Sequence, residues 1–108
     1  MSVIAVEEGI KRVVNNKALY HRLLKAFSGR KLVEQIIDAV NNENFEEAAT
    51  ACHALKGTAA NLAMKPLAEV VGQIEEYVKA SQNPGDLLNT LQENLEAVEA
   101  AVIEILAE

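Results

Sequence analysis

The chain is poor in the residues that staple, stack or turn a fold. One cysteine, Cys52, among 108 residues excludes an internal disulfide and gives no reason to expect an oxidising compartment, so a cytoplasmic setting is expected. Tryptophan is absent, and two tyrosines with two phenylalanines cannot build a platform on which single-stranded bases stack. Positive charge is in deficit as well. Ten Lys and Arg against sixteen Asp and Glu leave a net charge of -6, which removes most of the gain from displacing counterions on a nucleic-acid backbone and argues against that class of partner. No apolar run reaches the length of a membrane span. Glu7 and Glu8 follow Met1 too closely for a signal-peptide apolar region.

What the chain does have is aliphatic. Half of it is hydrophobic, with seventeen alanines and twelve leucines against five glycines and two prolines. Ala and Leu lose little side-chain freedom in a helix, so an all-α fold follows, with core enough for a single small domain over residues 1–108. Apolar residues recur at helical spacing from end to end, with short polar or Gly/Pro breaks and no sequence repeat. A short peripheral helix is predicted near 3–14, carrying Val3, Val6, Ile10 and Val13. A second follows Asn16 as N-cap, with the stripe Tyr20, Leu23, Leu24 and Phe27 ending at Ser28-Gly29. A third near 30–41 presents Val33, Ile36, Ile37 and Val40.

Asn44 followed by Glu46 and Glu47 reads as an N-cap with acids in the first turn, where they complement the helix dipole and can close a capping box. The fourth helix then has the seam Ala48, Cys52, Leu55, Ala59 and Leu62. Lys65-Pro66 starts a fifth, with Leu67, Val71, Ile74 and Val78, broken by Ser81 to Gly85. Asn83-Pro84 reads as N-cap and N1 proline of a last helix, whose seam is Leu88, Leu91, Leu95, Val98, Val102 and Ile105. These seams suit an antiparallel four-helix bundle with an additional short N-terminal helix. All of them can be satisfied inside one bundle, so a monomer is expected.

On the fourth helix, His53, Gly57 and Ala60 share a line roughly 130° from the apolar seam by the 3.6-residue period. Ala49 precedes them and Lys56 borders their inner side. The imidazole is thus predicted to face solvent. Gly57 in mid-helix costs about 1 kcal/mol relative to Ala. Either another helix packs closely there, or the face is kept low for something that approaches His53.

The run His53-Ala54-Leu55-Lys56-Gly57-Thr58-Ala59-Ala60-Asn61-Leu62 resembles the signature of histidine-containing phosphotransfer (HPt) domains. The likeness extends over most of the chain, from Leu23-Leu24 and Phe27 through Asn44 and the motif helix to Ile74-Glu75. The resemblance implies an antiparallel four-helix bundle that relays phosphoryl groups to and from receiver-domain aspartates in a two-component phosphorelay. It implies His53 as the phosphorylated residue, with Lys56 and Gly57 as its motif partners. Many members have glycine where this chain has Ala63, a departure expected to alter the helix end and not the chemistry. The family also often has Gln or Glu where Glu75 stands. His53 lies twelve residues before a chain reversal near Lys65 and Glu75 ten after it, so the two should sit at similar height. In one of the two possible bundle hands their flanks face each other.

Chemically the set is coherent. A free imidazole has a pKa of about 6.5, so near neutrality a large neutral fraction can attack phosphorus. A carboxylate at Glu75 would fix the tautomer, leaving the outward nitrogen as nucleophile. Lys56, one turn beyond His53, can bring its ammonium to the phosphoryl oxygens. Ala49, Gly57 and Ala60 would form the docking face. The chain has no phosphate-cradling glycine loop and no acidic cluster that reads as a magnesium site. It is therefore expected to be a carrier and not an enzyme, with no cofactor or metal of its own; the resemblance implies that the Mg²⁺ and the aspartate belong to the partner. Receiver domains of response regulators are the expected partners, and a hybrid sensor kinase is a further one.

Three other readings compete. A carboxylate-bridged metal bundle would need Glu-x-x-His pairs, yet Thr50 stands three before His53 and Ala18 three before His21; His21 is read as a surface residue. The dimerisation helices of a sensor kinase commonly place an acid after the histidine, where this chain has Ala54. A non-phosphorylated helical adaptor could use the same Ala/Gly face to dock a partner helix. Chain length and the Met1-Ser2 start suggest a free-standing carrier, and an excised domain of a larger sensor protein would look the same.

Overall fold

A computed structural model describes residues 3–13 and 15–107. They form six helices: α1 Val6–Arg12, α2 Lys17–Lys25, α3 Gly29–Asn41, α4 Phe45–Asn61, α5 Lys65–Lys79 and α6 Leu87–Ala107. Helices α3, α4, α5 and α6 close a ring in which α3 packs on α4, α4 on α5, α5 on α6 and α6 back on α3. Three-residue links join α3 to α4 and α4 to α5, short enough to make neighbours antiparallel. Helix α2 lies against α6, and α1 lies on α2. The architecture is the expected all-α bundle with its extra N-terminal helix, lengthened by α2.

The seams behave as their periodicity requires. Ala48, Cys52, Leu55 and Ala59 of α4 are fully buried, as are Leu67, Val71 and Ile74 of α5 and Leu91 and Val98 of α6. The α4 side of the α4/α5 contact is built largely from alanines and one cysteine, so the two helices lie closely side by side. That closeness lets polar side chains on the rims of both helices reach one another.

Helix ends follow recognisable chemistry. Asn16 Oδ1 accepts from Leu19 N–H at 3.0 Å, and Asn44 Oδ1 accepts from Glu47 N–H at 3.2 Å while Asn44 Nδ2 donates to Glu47 Oε2 at 2.8 Å. These are the N-caps the sequence promised. At the other ends, Glu43, Ala63 and Ser81 adopt φ of 57°, 61° and 56°. In each case the following N–H bonds back to the carbonyl five residues before it: Asn44 to Ala39, Met64 to Ala59, Gln82 to Tyr77. This is the Schellman closure, normally left to glycine. Ala63 therefore takes the conformation a glycine would take, and α4 ends there without glycine's help.

Several expectations are corrected. The first helix is shorter than 3–14: it starts at Val6, and residue 14 lies outside the described residues. Ile4, ahead of it, is buried. Asn83-Pro84 does not open the last helix. Asn83 Oδ1 instead accepts from Gly85 N–H at 2.8 Å, Gly85 sits at φ 61°, and α6 begins at Leu87. The asparagine closes a local turn and Pro84 is buried, because a side chain that can satisfy a near backbone donor competes with capping a helix further on. Leu23 is exposed although it was placed on the apolar stripe; α2 lies at the margin of the bundle and is covered on one side. His21 is half-buried, not a surface residue, and its Nε2 is enclosed without a hydrogen-bond partner.

The N-terminal segment is tied to the α4–α5 corner. Tyr20, fully buried, donates its hydroxyl hydrogen to Leu62 C=O at 2.9 Å, and Ala5 N–H donates to Ala63 C=O at 2.9 Å. Gly9 lies against the Tyr20 ring so closely that any Cβ would overlap it. Lys65 Nζ meets Glu8 Oε2 at 2.7 Å, an exposed pair.

Two stability changes follow. Leu55→Ala, at a fully buried position, is expected to cost about 2 to 5 kcal/mol through cavity formation. Ser81→Gly, exposed and at positive φ, is expected to add a few tenths to about 1 kcal/mol by relieving left-handed strain. Urea unfolding reads both; a Ser81→Gly chain no more stable than the parent would contradict the strain argument.

Candidate functional site

The site lies where α4 and α5 face each other. His53 lies one residue after the buried Cys52, so it is carried out of the seam, and its side chain is 79% exposed. Glu75 likewise follows the buried Ile74, but its side chain is only 5% exposed. The two meet with His53 Nδ1 at 3.5 Å from Glu75 Oε2. The bundle thus has the hand in which these flanks face. No hydrogen bond forms at this separation, and Oε2 is a buried acceptor without one. The expected ring-to-carboxylate hydrogen bond is therefore poised but not made.

Glu75 is held by one lysine from each helix. Lys56 Nζ donates to Oε1 at 3.1 Å, and Lys79 Nζ stands 3.6 Å from Oε2. Burial raises the proton affinity of this carboxyl, but the Lys56 hydrogen bond and the charges of Lys56, Lys79 and His53 outweigh it, and Glu75 sits below its ordinary value of 4.5. The Lys56 stem crosses the interface over Gly72, where an added Cβ would lie 3.5 Å from Lys56 Cδ. Beneath the site, burial first and the Glu75 charge second push the Cys52 thiol up to about 12. It stays a neutral packing group.

The surrounding face is low. A Cβ added at Gly57 would meet nothing within 4 Å. No helix packs against Gly57, which removes the tight-packing explanation for this glycine. Ala60 is exposed and Ala49 half-buried. Ala49, Thr50, His53, Glu75 and Lys79 line one shallow depression. Of the residues named from sequence, His53, Lys56 and Glu75 converge, Ala49 lines the depression with His53, and Gly57 and Ala60 are exposed further along α4. Lys79 was missed, although its i+4 spacing from Glu75 puts both on one face of α5. Among the described residues no group of three or more His, Cys, Asp or Glu is gathered to hold a metal. Among the same residues no helix is long and apolar enough to cross a membrane.

Two outcomes test the electrostatics. The Glu75 carboxyl binds protons less readily folded than unfolded, so its ion cluster contributes stability above the unfolded value near 4.5 and loses it as pH falls through the lower folded value. The stability gap between the parent and Glu75→Gln, measured by urea unfolding, should therefore be larger at pH 7 than at pH 3; an equal gap would show that the carboxylate's charge is not what the lysines hold. His53→Gln should leave the unfolding midpoint nearly unchanged, because the ring is solvated.

Comparison with known families assigns the architecture. The family model of the Hpt domain matches residues 27–101, the stretch from the link between α2 and α3 into α6 that contains the whole site. No curated protein matched, and no solved structure did. The matched span covers most of the chain, and the chain belongs to the Hpt domain family of phosphotransfer carriers in phosphorelays.

Proposed function

We propose that this chain is a phosphohistidine carrier, a single HPt unit over residues 1–108 acting as a monomer in the cytoplasm, with receiver domains as its partners. The observation that carries the reading is one imidazole turned outward on an unobstructed face, with Nδ1 against a buried carboxylate. That arrangement leaves Nε2, the nitrogen away from Glu75, as the nucleophile.

In the step from an aspartyl phosphate, the Nε2 lone pair forms the new P–N bond while the P–O bond to the receiver aspartate breaks and its electron pair leaves with the carboxylate. The proton stays on Nδ1. The ring gains positive charge as the bond forms, and Glu75 is placed to accept the Nδ1–H hydrogen bond and offset that charge. Contacts of this kind are often long before the reactive complex forms and tighten within it. Reversal of the same step returns the phosphoryl group to an aspartate.

Lys56 has a definite task before transfer: its hydrogen bond keeps Glu75 ionised and in place. Phosphoryl transfer passes through a loose transition state, where alignment and charge neutralisation do most of the catalysis. The chain supplies the nucleophile and its orientation, and the receiver supplies the aspartate and its Mg²⁺. Docking falls to the low surface of Ala49, Gly57 and Ala60, over which a partner's active-site rim can descend to His53.

The experiment is transfer from a phosphorylated receiver domain with Mg²⁺, scored as acid-labile, base-stable label. Label on the parent and none on His53→Gln is expected. Absence of label across several candidate receivers, or equal label on His53→Gln, would turn the reading to a non-phosphorylated helical adaptor. Gly57→Phe is expected to slow transfer at least about tenfold with little change in helix content, since the added ring occupies docking space; an unchanged rate would take Gly57 out of the docking face.

A further inference from the structure

The depression beside His53 contains a cation that the motif does not name. Lys79 lies in the last turn of α5, four residues after Glu75, and lines the same hollow as His53, Ala49 and Thr50. Lys56 reaches Glu75 from α4, over Gly72. Two lysines against one carboxylate leave a local charge of +1 beside the imidazole, on a chain whose total is -6. This excess stands where a dianionic group would arrive.

The two lysines are not held alike. Lys56 donates a hydrogen bond to Oε1 at 3.1 Å, and its side chain is 45% exposed. Lys79 stands 3.6 Å from Oε2, beyond hydrogen-bond distance, and its side chain is 63% exposed. Oε2 is also the oxygen that His53 Nδ1 approaches. A hydrogen bond from the ring to Oε2 would give that oxygen its own partner and free Lys79 to turn outward. A flexible four-carbon stem makes this movement cheap.

We infer that Lys79 is the chain's phosphoryl-binding cation at the His53 site: it rests on Glu75 before transfer and moves to the phosphoryl oxygens when His53 is modified, while Lys56 stays on the carboxylate. The inference rests on the phosphohistidine reading above and divides the labour between the two lysines. The plainer role for Lys79 is a surface i,i+4 partner of Glu75 that also complements the α5 C-terminus.

A small anionic phosphodonor separates these roles and needs no partner protein. With phosphoramidate, the Nε2 lone pair attacks phosphorus, the donor's P–N bond breaks, and ammonia leaves with the electron pair and takes up a proton from solvent. The parent, Lys79→Gln, Lys79→Arg and His53→Gln are compared for labelling rate at low and high salt. Lys79→Gln is expected to label about three- to tenfold more slowly than the parent at low salt, the loss expected from one unit charge a few ångströms from the reacting anion. The deficit should shrink at high salt, and Lys79→Arg should restore most of the rate. A Lys79→Gln chain that labels at the parental rate at both salt concentrations, with or without a small drop in unfolding midpoint, would overturn the inference and leave the carrier reading standing. Failure of the parent to label above His53→Gln would overturn the carrier reading, and this inference with it.

Discussion

A carboxylate taken out of water between two helices must be answered by charge, and Glu75 is where this bundle meets that requirement. Its side chain is nearly closed off, yet it remains ionised because Lys56, Lys79 and His53 surround it. Removing Lys56, the one partner that hydrogen-bonds it, leaves a charge whose compensation is reduced in a poorly solvated place, which is costlier than losing an exposed pair. The site is thus a small ionic assembly laid on an apolar interface. The seam of Ala48, Cys52, Leu55 and Ala59 sets how near α5 approaches, and that approach brings Glu75 under the imidazole.

The same interface explains why one side of α4 is silent and the other receptive. Inward, small and medium aliphatics fill the contact with α5. Outward, Gly57 meets only solvent and Ala60 is exposed. A helix with large residues on both faces would bury the histidine or roof it over. The low outer face costs helix propensity at Gly57, a cost the α4 core can absorb.

Much of this was readable from the residues alone, because strong periodicity and side-chain caps are local signals. The α4 seam, the solvent-facing position of His53, the Asn16 and Asn44 caps and the height match of His53 with Glu75 follow from spacing by 3.6 and from side chains that reach three residues on. What escaped depends on distance in space. The burial of Glu75 comes from the hand of the bundle, which periodicity does not encode. Lys79 looked like any C-terminal helical lysine until Glu75 was enclosed. Asn83 could cap a helix or close its own turn, and the covered position of Pro84 decided for the turn. His21 reads as a surface residue by spacing, and its enclosed ring edge is evident only in the assembled fold.

The thiol beneath the site has a practical meaning. Cys52 is the chain's single sulfhydryl, fully covered and with almost no thiolate at neutral pH. Thiol-directed reagents that reach the bundle's exterior therefore find no native thiol to react with while it stays folded. A cysteine introduced on the outer face of α4 would be uniquely addressable, so a dye or crosslinker could report on what arrives at His53 without a background from the parent chain.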